Sequence, residues 1–165
     1  MVKQKIQLNR RQLLIFASSA LVTSPLIAPA GENISDIHVI KNPQCGCCSA
    51  WIKILTDKGF SVTMEDRSGD LLVEFKIESG VPKNMMACHT ANIGGYFIEG
   101  HVPAIDIKRL ISERPDALGL AVPGMPYGSP GMGPEEEREA YDVFIVGSNG
   151  AAEVFQHYPK AGIPV

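Results

Sequence analysis

The cysteines are the residues of this chain best suited to chemistry, and three of the four fall within the run Cys45–Cys48, which reads CGCC. The fourth, Cys88, comes 40 residues after Cys48 and directly precedes His89. Three thiols so close together are not typical of inert core residues. Cysteine sulfur acts either as a nucleophile in disulfide exchange or as a soft metal ligand. The cluster therefore predicts a redox pair or a metal site.

The redox interpretation depends on Cys45 and Cys48, which have the C-x-x-C spacing of dithiol oxidoreductases. Cys47 complicates it, because a third thiol beside the pair would compete in exchange. Purely structural disulfides fit poorly, since adjacent cysteines bond only with strain and a Cys45–Cys47 ring is too short to stabilise much. A thiol–disulfide oxidoreductase acting through Cys45 and Cys48 stays open as the alternative function.

The metal interpretation makes use of the extra thiol. Thiolates are soft and can bridge, so they select Cu(I), with zinc and iron–sulfur clusters as competitors. Structural zinc sites usually draw their ligands from two separated pairs. Here the division is three cysteines plus Cys88, with His89 as a further donor. The pattern favours copper held by several sulfurs over zinc.

Methionines and a second histidine extend the candidate site. Met125 and Met132 lie in the Gly/Pro-rich loop 123–134, where an exposed thioether could be a soft copper ligand. Met85 and Met86, just before Cys88, are weaker candidates, because methionine also fills gaps in apolar cores. His101 is expected near the cysteines if Pro103 is a cis-proline beside them. The other two histidines are expected to be structural.

Hydrophobic periodicity and turn residues predict the elements that position these side chains. The predicted strands are 37–41, 60–67 and 96–98, the predicted helices are 48–58, 70–79 and 106–113, and a hairpin joins 141–146 to 151–157 through Asn149-Gly150. This order favours an α/β fold, a thioredoxin-like sandwich with a C-terminal β-hairpin extension. The cysteines would then lie at a helix N-terminus, where the helix dipole stabilises thiolate.

The first 30 residues are predicted to be a cleavable export signal. A basic segment, 1–11, precedes the apolar segment 13–27 and the small-residue cleavage pattern 28–30. The apolar segment is shorter than the roughly 20 residues that a membrane span needs. Arg10-Arg11 resembles the twin-arginine type of signal, although the general secretory route stays open. Residues 31–165 are then one exported metal-binding domain without a membrane span after cleavage.

Charge argues against nucleic acid as a partner. The predicted signal contains four of the 15 basic residues and none of the 18 acidic ones, so the remaining chain has a net charge of −7. It contains no basic stripe of the kind that binds nucleic acid.

Four features together resemble the exported copper-resistance proteins of the CopG type, a metal-binding family with a thioredoxin-like domain that was formerly a domain of unknown function. They are CGCC after a strand, the later Cys-His pair, the segment YFIEGHVPA and the loop GMPYGSPGM. The resemblance extends from about residue 37 to residue 158.

The resemblance implies a periplasmic protein of copper resistance that binds copper and is more a binding protein than an enzyme. Cys45, Cys47, Cys48 and Cys88 would hold a sulfur-bridged Cu(I) cluster, with His89, Met125 and Met132 as further ligands. A supporting role in copper redox or transfer belongs to this expectation. The expected partners are copper ions and periplasmic copper exporters or chaperones.

Overall fold

A computed structural model describes residues 35–162 of the chain. The predicted export signal lies outside these residues. The strands are β1 (Asp36–Lys41), β2 (Ser61–Asp66), β3 (His89–Ile93), β4 (Tyr96–Glu99), β5 (Ala117–Ala121), β6 (Tyr141–Gly147) and β7 (Ala152–Tyr158). The helices are α1 (Gly46–Asp57), α2 (Asp70–Glu78) and α3 (Ala104–Glu113). Short 3₁₀ turns occur at Lys83–Met85 and Glu135–Glu137.

The strands form one sheet in the order β2-β1-β3-β4-β5-β6-β7, so the predicted α/β class is confirmed. The β1–β2 and β4–β5 pairs are parallel, and the other neighbours are antiparallel. The order of elements from β1 to α3 is compatible with the predicted thioredoxin-like arrangement. The predicted C-terminal hairpin is present as β6 and β7, with β7 at the edge of the sheet.

Two strands were not predicted from the sequence. In β3, with sequence HTANI, polar and apolar residues do not alternate regularly, so the sequence lacks the usual strand pattern. Four of its five side chains are buried, polar ones included. In β5, with sequence ALGLA, alanine and glycine have little preference for strands. Both strands exist because neighbouring strands pair with them on either side.

The prediction of a cis-proline at position 103 was wrong. No peptide bond between residues 35 and 162 is cis. Pro103 instead caps α3 with φ −61° and ψ 141°, and the helix begins at the next residue. A trans bond is the usual state of an X-Pro bond in a folded protein.

The main apolar core lies between the sheet and the helices α1 and α3. Trp51 and Leu55 of α1 and Ile107 and Leu110 of α3 are fully buried in it. The Trp51 indole N–H donates a 2.8 Å hydrogen bond to the Val102 carbonyl, which ties α1 to the segment just before α3. No helix in the described part of the chain is both long and apolar enough to cross a membrane.

Candidate metal centre

The turn between β1 and α1 places three of the cysteines at the start of a helix. The Cys45 N–H donates to the Asn42 carbonyl at 3.0 Å, which closes this turn. Cys45 then caps α1, because its Sγ accepts the Cys48 N–H at 3.3 Å. The helix therefore begins two residues earlier than the apolar periodicity predicted, and its first turn contains Cys47 and Cys48.

Tertiary packing brings the fourth cysteine to this turn. The Sγ atoms of Cys45, Cys47, Cys48 and Cys88 all lie within 4.8 Å of one another. Cys45 and Cys48 are joined by a disulfide, whereas Cys47 and Cys88 are free thiols. Cys47 Sγ lies 3.4 Å from Cys45 Sγ, and Cys88 Sγ lies 3.5 Å from Cys48 Sγ. Each free sulfur thus lies next to one half of the disulfide.

Two imidazoles flank Cys88 on its other side. Its Sγ lies 3.2 Å from His89 Nδ1 and 3.2 Å from His101 Nε2. His101 Nδ1 lies 2.8 Å from the Pro130 carbonyl. A carbonyl only accepts, so Nδ1 must bear the proton and Nε2 presents its lone pair to Cys88. His101 therefore lies beside the cysteines as expected, although Pro103 is trans.

The His89 side chain is fully buried, and only one of its two ring nitrogens has a polar partner. Its ring packs 4.3 Å from the Trp51 ring and 5.0 Å from the His101 ring, centroid to centroid. Among the described residues, His89 Nε2 is the one buried side-chain polar atom without a hydrogen-bond partner. Such an unpaired atom carries a desolvation cost and is uncommon enough in folded proteins to need an explanation.

Burial sets the protonation states around Cys88. Burial, followed by the neighbouring Cys47, raises the pKa of the Cys88 thiol to about 12. Burial also lowers the pKa of His101. It lowers the pKa of His89 well below its usual value, and repulsion from His101 when that ring is protonated, and from Lys76, adds to the effect. At neutral pH the metal-free site contains a protonated Cys88 and two neutral imidazoles. A metal bound by Cys88 has to displace its proton.

The Gly/Pro-rich loop lies against the first turn of α1. Gly131 has φ +85°, and a Cβ there would lie 2.8 Å from the Trp51 amide nitrogen and 3.0 Å from the Cys47 carbonyl oxygen. Met132 follows it and is half-buried, whereas the Met125 side chain is 56% exposed. The loop thus lies against the turn that bears three of the cysteines. The role of the two methionines as ligands stays a prediction.

The remaining candidates lie elsewhere. Met85 is buried in a second apolar cluster with Val81 and Phe97, which agrees with its gap-filling role. His38 bonds to Thr63 and His157 to Asp142, both on the surface.

The fold and these contacts define a class: an α/β protein with four clustered cysteine sulfurs and two neutral imidazoles, a donor set suited to a soft metal ion or to thiol redox chemistry. A solved structure described as "Copper resistance protein copG- Form 1" is 47% identical, with a TM-score of 0.70, and the match covers 75% of this chain and 97% of that one. A second, "Copper resistance protein copG- Form 2", is also 47% identical, with a TM-score of 0.69, and the match covers 75% and 98%.

This chain belongs to the CopG copper-resistance family. The family model described as "Protein of unknown function, DUF411" matches residues 85–132, which include Cys88, both imidazoles and the two loop methionines. No curated protein matches the chain.

Proposed function

We propose that this is a periplasmic copper-binding protein of copper resistance that holds several Cu(I) ions through the thiolates of Cys45, Cys47, Cys48 and Cys88. The observation that supports this most directly is the approach of all four sulfurs to within 4.8 Å of one another. Sulfurs this close can bridge metal ions, and thiolates favour Cu(I) among the common cellular metals.

Zinc fits this arrangement less well than copper. Three of the four sulfurs come from one helical turn, whereas a structural zinc site usually combines two separated pairs. His89 and His101 add two imidazoles beside Cys88, which suit copper as well. Met125 and Met132 would complete the donor set from the loop. Copper exporters or chaperones of the same compartment are the partners that we expect to supply or take the ion.

Loading with copper requires the reduced form of the centre. An external dithiol reductant, itself oxidised to a disulfide, must supply the two electrons and two protons that convert the Cys45–Cys48 disulfide into two thiols, and each thiol that binds copper then releases its proton. This links the oxidation state of the cysteines to copper binding, and a supporting role in copper redox or transfer follows from that link.

The alternative function is a thiol–disulfide oxidoreductase. The observation that favours it is the Cys45–Cys48 disulfide itself, at a helix N-terminus that stabilises a thiolate. In that function Cys47 is dispensable, whereas in the copper function it is a ligand. The two functions therefore differ in what the loss of Cys47 does.

The test is metal content after reduction and anaerobic copper loading, measured for wild type and Cys47→Ser. We expect more than one copper per wild-type chain, with absorption from sulfur–copper bonding, and a marked loss of copper in the variant. Met64→Leu, at an exposed position on β2, is a control that should leave copper content unchanged.

The oxidoreductase would instead be supported by a copper-free protein that reduces insulin disulfides and keeps this activity in Cys47→Ser. One zinc per chain in the same measurement would indicate a zinc site. Either result would contradict the copper proposal.

A further inference from the structure

A buried charged network lies behind Cys88. Its members are Lys76 of α2, Thr90 of β3 and Glu99 of β4, which are 3%, 0% and 0% exposed. Glu99 Oε1 accepts from Lys76 Nζ at 2.6 Å and from the Ala87 N–H, and Glu99 Oε2 accepts from the Thr90 hydroxyl. Lys76 Nζ also donates to Thr90 Oγ1 at 2.8 Å. In these hydrogen bonds Lys76 only donates and Glu99 only accepts, which is consistent with a charged lysine and an ionised glutamate.

The network holds the chain on both sides of the candidate ligands. Ala87 immediately precedes Cys88, and Thr90 immediately follows His89. Cys88 itself comes before β3 begins, so the strand pairing of β3 does not fix it. Instead, the hydrogen bond from the Ala87 N–H to the Glu99 carboxylate holds the backbone directly before Cys88 in place.

Packing at Gly100 strengthens this hold. Gly100 has φ +72°, and a Cβ there would lie 2.8 Å from Ala87 Cβ and 2.5 Å from the Val122 carbonyl oxygen. The Gly100 N–H donates to the His89 carbonyl at 3.0 Å. The Glu99–Gly100 segment thus contacts the backbone both before and after Cys88.

Fold stability does not readily explain this network. Removing two charges from water is costly, and replacing a buried ion pair with well-packed apolar residues is often neutral or stabilising. A carboxylate that orients the backbone bearing metal ligands can instead contribute to metal affinity, because groups that hold the ligands in place commonly tune how tightly a site binds its metal.

We propose that Glu99, supported by Lys76 and Thr90, is a positioning residue: through the Ala87 amide and the Thr90 hydroxyl it holds Cys88 and His89 against the Cys45–Cys48 turn. The fourth sulfur is thereby preorganised for Cu(I). The copper part of this inference rests on the proposed function, whereas the placement of Cys88 does not.

Two matched double variants isolate the positioning role. Lys76→Met with Glu99→Leu removes both charges and the acceptor for the Ala87 N–H. Lys76→Met with Glu99→Gln removes both charges but keeps an amide oxygen at that place. We expect the Leu variant to bind Cu(I) about 10- to 100-fold more weakly than wild type, the range typical for groups behind metal ligands, and the Gln variant to recover most of the affinity.

A double-mutant cycle with Cys88→Ser separates positioning from general loosening of the fold. In wild type, Cys88→Ser should weaken Cu(I) binding strongly. In the Leu variant it should have little further effect, because Cys88 is already misplaced. Additive effects of the two changes would overturn the proposal.

A metal-free measurement keeps the proposal independent of copper. In a Cys45→Ser/Cys47→Ser background, only Cys48 and Cys88 remain, with their sulfurs 3.5 Å apart in the present structure. Equilibration in glutathione buffers gives the effective concentration of one thiol toward the other. We expect this to fall at least about tenfold on adding the Leu pair and to be largely restored with the Gln pair, since effective concentration reflects placement.

The copper measurement and the effective-concentration measurement distinguish failure of the proposed function from failure of the positioning role. A wild-type protein that binds no Cu(I), together with a lower effective concentration in the Leu variant, would contradict the proposed function and support the positioning role. An unchanged effective concentration would overturn the positioning role. Should the Leu variant fail to fold by circular dichroism, Thr90→Val against Thr90→Ser tests the same network: Val should lower the effective concentration and Ser should preserve it, and equal values for the two would overturn the proposal.

Discussion

Cys88 has different surroundings from the other three cysteines. Its sulfur lies between Cys48 Sγ and two imidazole nitrogens, and its raised pKa keeps it protonated in the metal-free protein. A soft cation that binds there exchanges a proton for a metal bond, so Cu(I) affinity is expected to rise with pH. His89 and His101 are neutral and offer lone pairs without adding positive charge.

The two buried imidazoles predict how stability depends on pH. Because their pKa values are lowered in the folded state, the unfolded chain binds more protons as the pH falls below about 6.5. Their contribution to stability is therefore complete above that pH and is lost on acidification, by up to about 1.4 kcal/mol per pH unit for each histidine.

Urea unfolding of the metal-free, disulfide-bonded protein at pH 7.5 and 5.5 measures this loss. His101→Gln should reduce the difference in stability between the two pH values, whereas the control Met64→Leu, an exposed substitution that removes no titratable group, should not. The comparison between variants cancels the contributions of the buried carboxyls. An equal pH dependence in wild type and His101→Gln would contradict the assignment of a neutral His101.

At the scale of elements, the centre depends on how the loop 123–134 meets α1 and the segment before α3. The loop supplies the Pro130 carbonyl that orients His101, and Gly131 packs on the first turn of α1. On the core side, the Trp51–Val102 hydrogen bond joins α1 to the segment before α3, which includes His101. The orientation of His101 is therefore shared between the loop and the core.

Gly131→Ala is expected to disturb this contact. The new methyl group would meet the Trp51 amide and the Cys47 carbonyl, and φ +85° is strained for alanine. We expect a loss of about 2–4 kcal/mol in the free energy of unfolding, from backbone strain and overpacking together, measured by urea denaturation. Cu(I) affinity should fall as well, because Pro130 would move with the loop.

Gly124→Ala is the matched control, because Gly124 has φ +71° but nothing within 4 Å of its Cβ position. It should cost only about 1–2 kcal/mol of backbone strain and leave Cu(I) affinity unchanged. Similar effects of the two substitutions would show that the loop does not support the centre.

At the scale of the whole domain, the C-terminal hairpin is joined to the sheet by the β5–β6 pairing and is held to α3 by a partly buried side-chain contact. The Tyr158 hydroxyl on β7 donates a 2.7 Å hydrogen bond to Asp106 Oδ2 in the first turn of α3. Tyr158 also stacks on Tyr141 of β6 at 4.9 Å between ring centroids. Burial raises the pKa of Asp106, and the hydrogen bond from Tyr158 opposes this shift by stabilising the carboxylate.

Tyr158→Phe should destabilise the metal-free protein by about 1–3 kcal/mol, because Asp106 would lose a buried hydrogen-bond partner. Copper content should not change, since neither residue belongs to the cysteine cluster. Thermal or urea unfolding measures the loss, with Tyr127→Phe on the exposed loop as the control. A variant as stable as wild type would contradict the attachment of the hairpin through Asp106.

Local sequence predicted the parts of this protein that depend on near neighbours. The Cys45–Cys48 run at a helix start and the hairpin turn at Asn149-Gly150 follow from residue types a few positions apart. The α/β class followed from periodicity within single elements. The strands β3 and β5 could not be predicted in this way, because pairing with distant strands, rather than their own composition, makes them strands.

Only the tertiary structure decided which residues gather around the cysteines. Cys88 lies 40 residues from Cys48 in the chain, and the His101–Pro130 and Lys76–Glu99 contacts join residues 29 and 23 positions apart. No periodicity or turn signal carries such information, because these contacts exist only once the sheet and helices have packed. The sequence by itself therefore indicated the chemistry and made Cys88, His89 and His101 candidates, whereas only folding placed these residues beside the cysteine run and set the buried Glu99 carboxylate behind them.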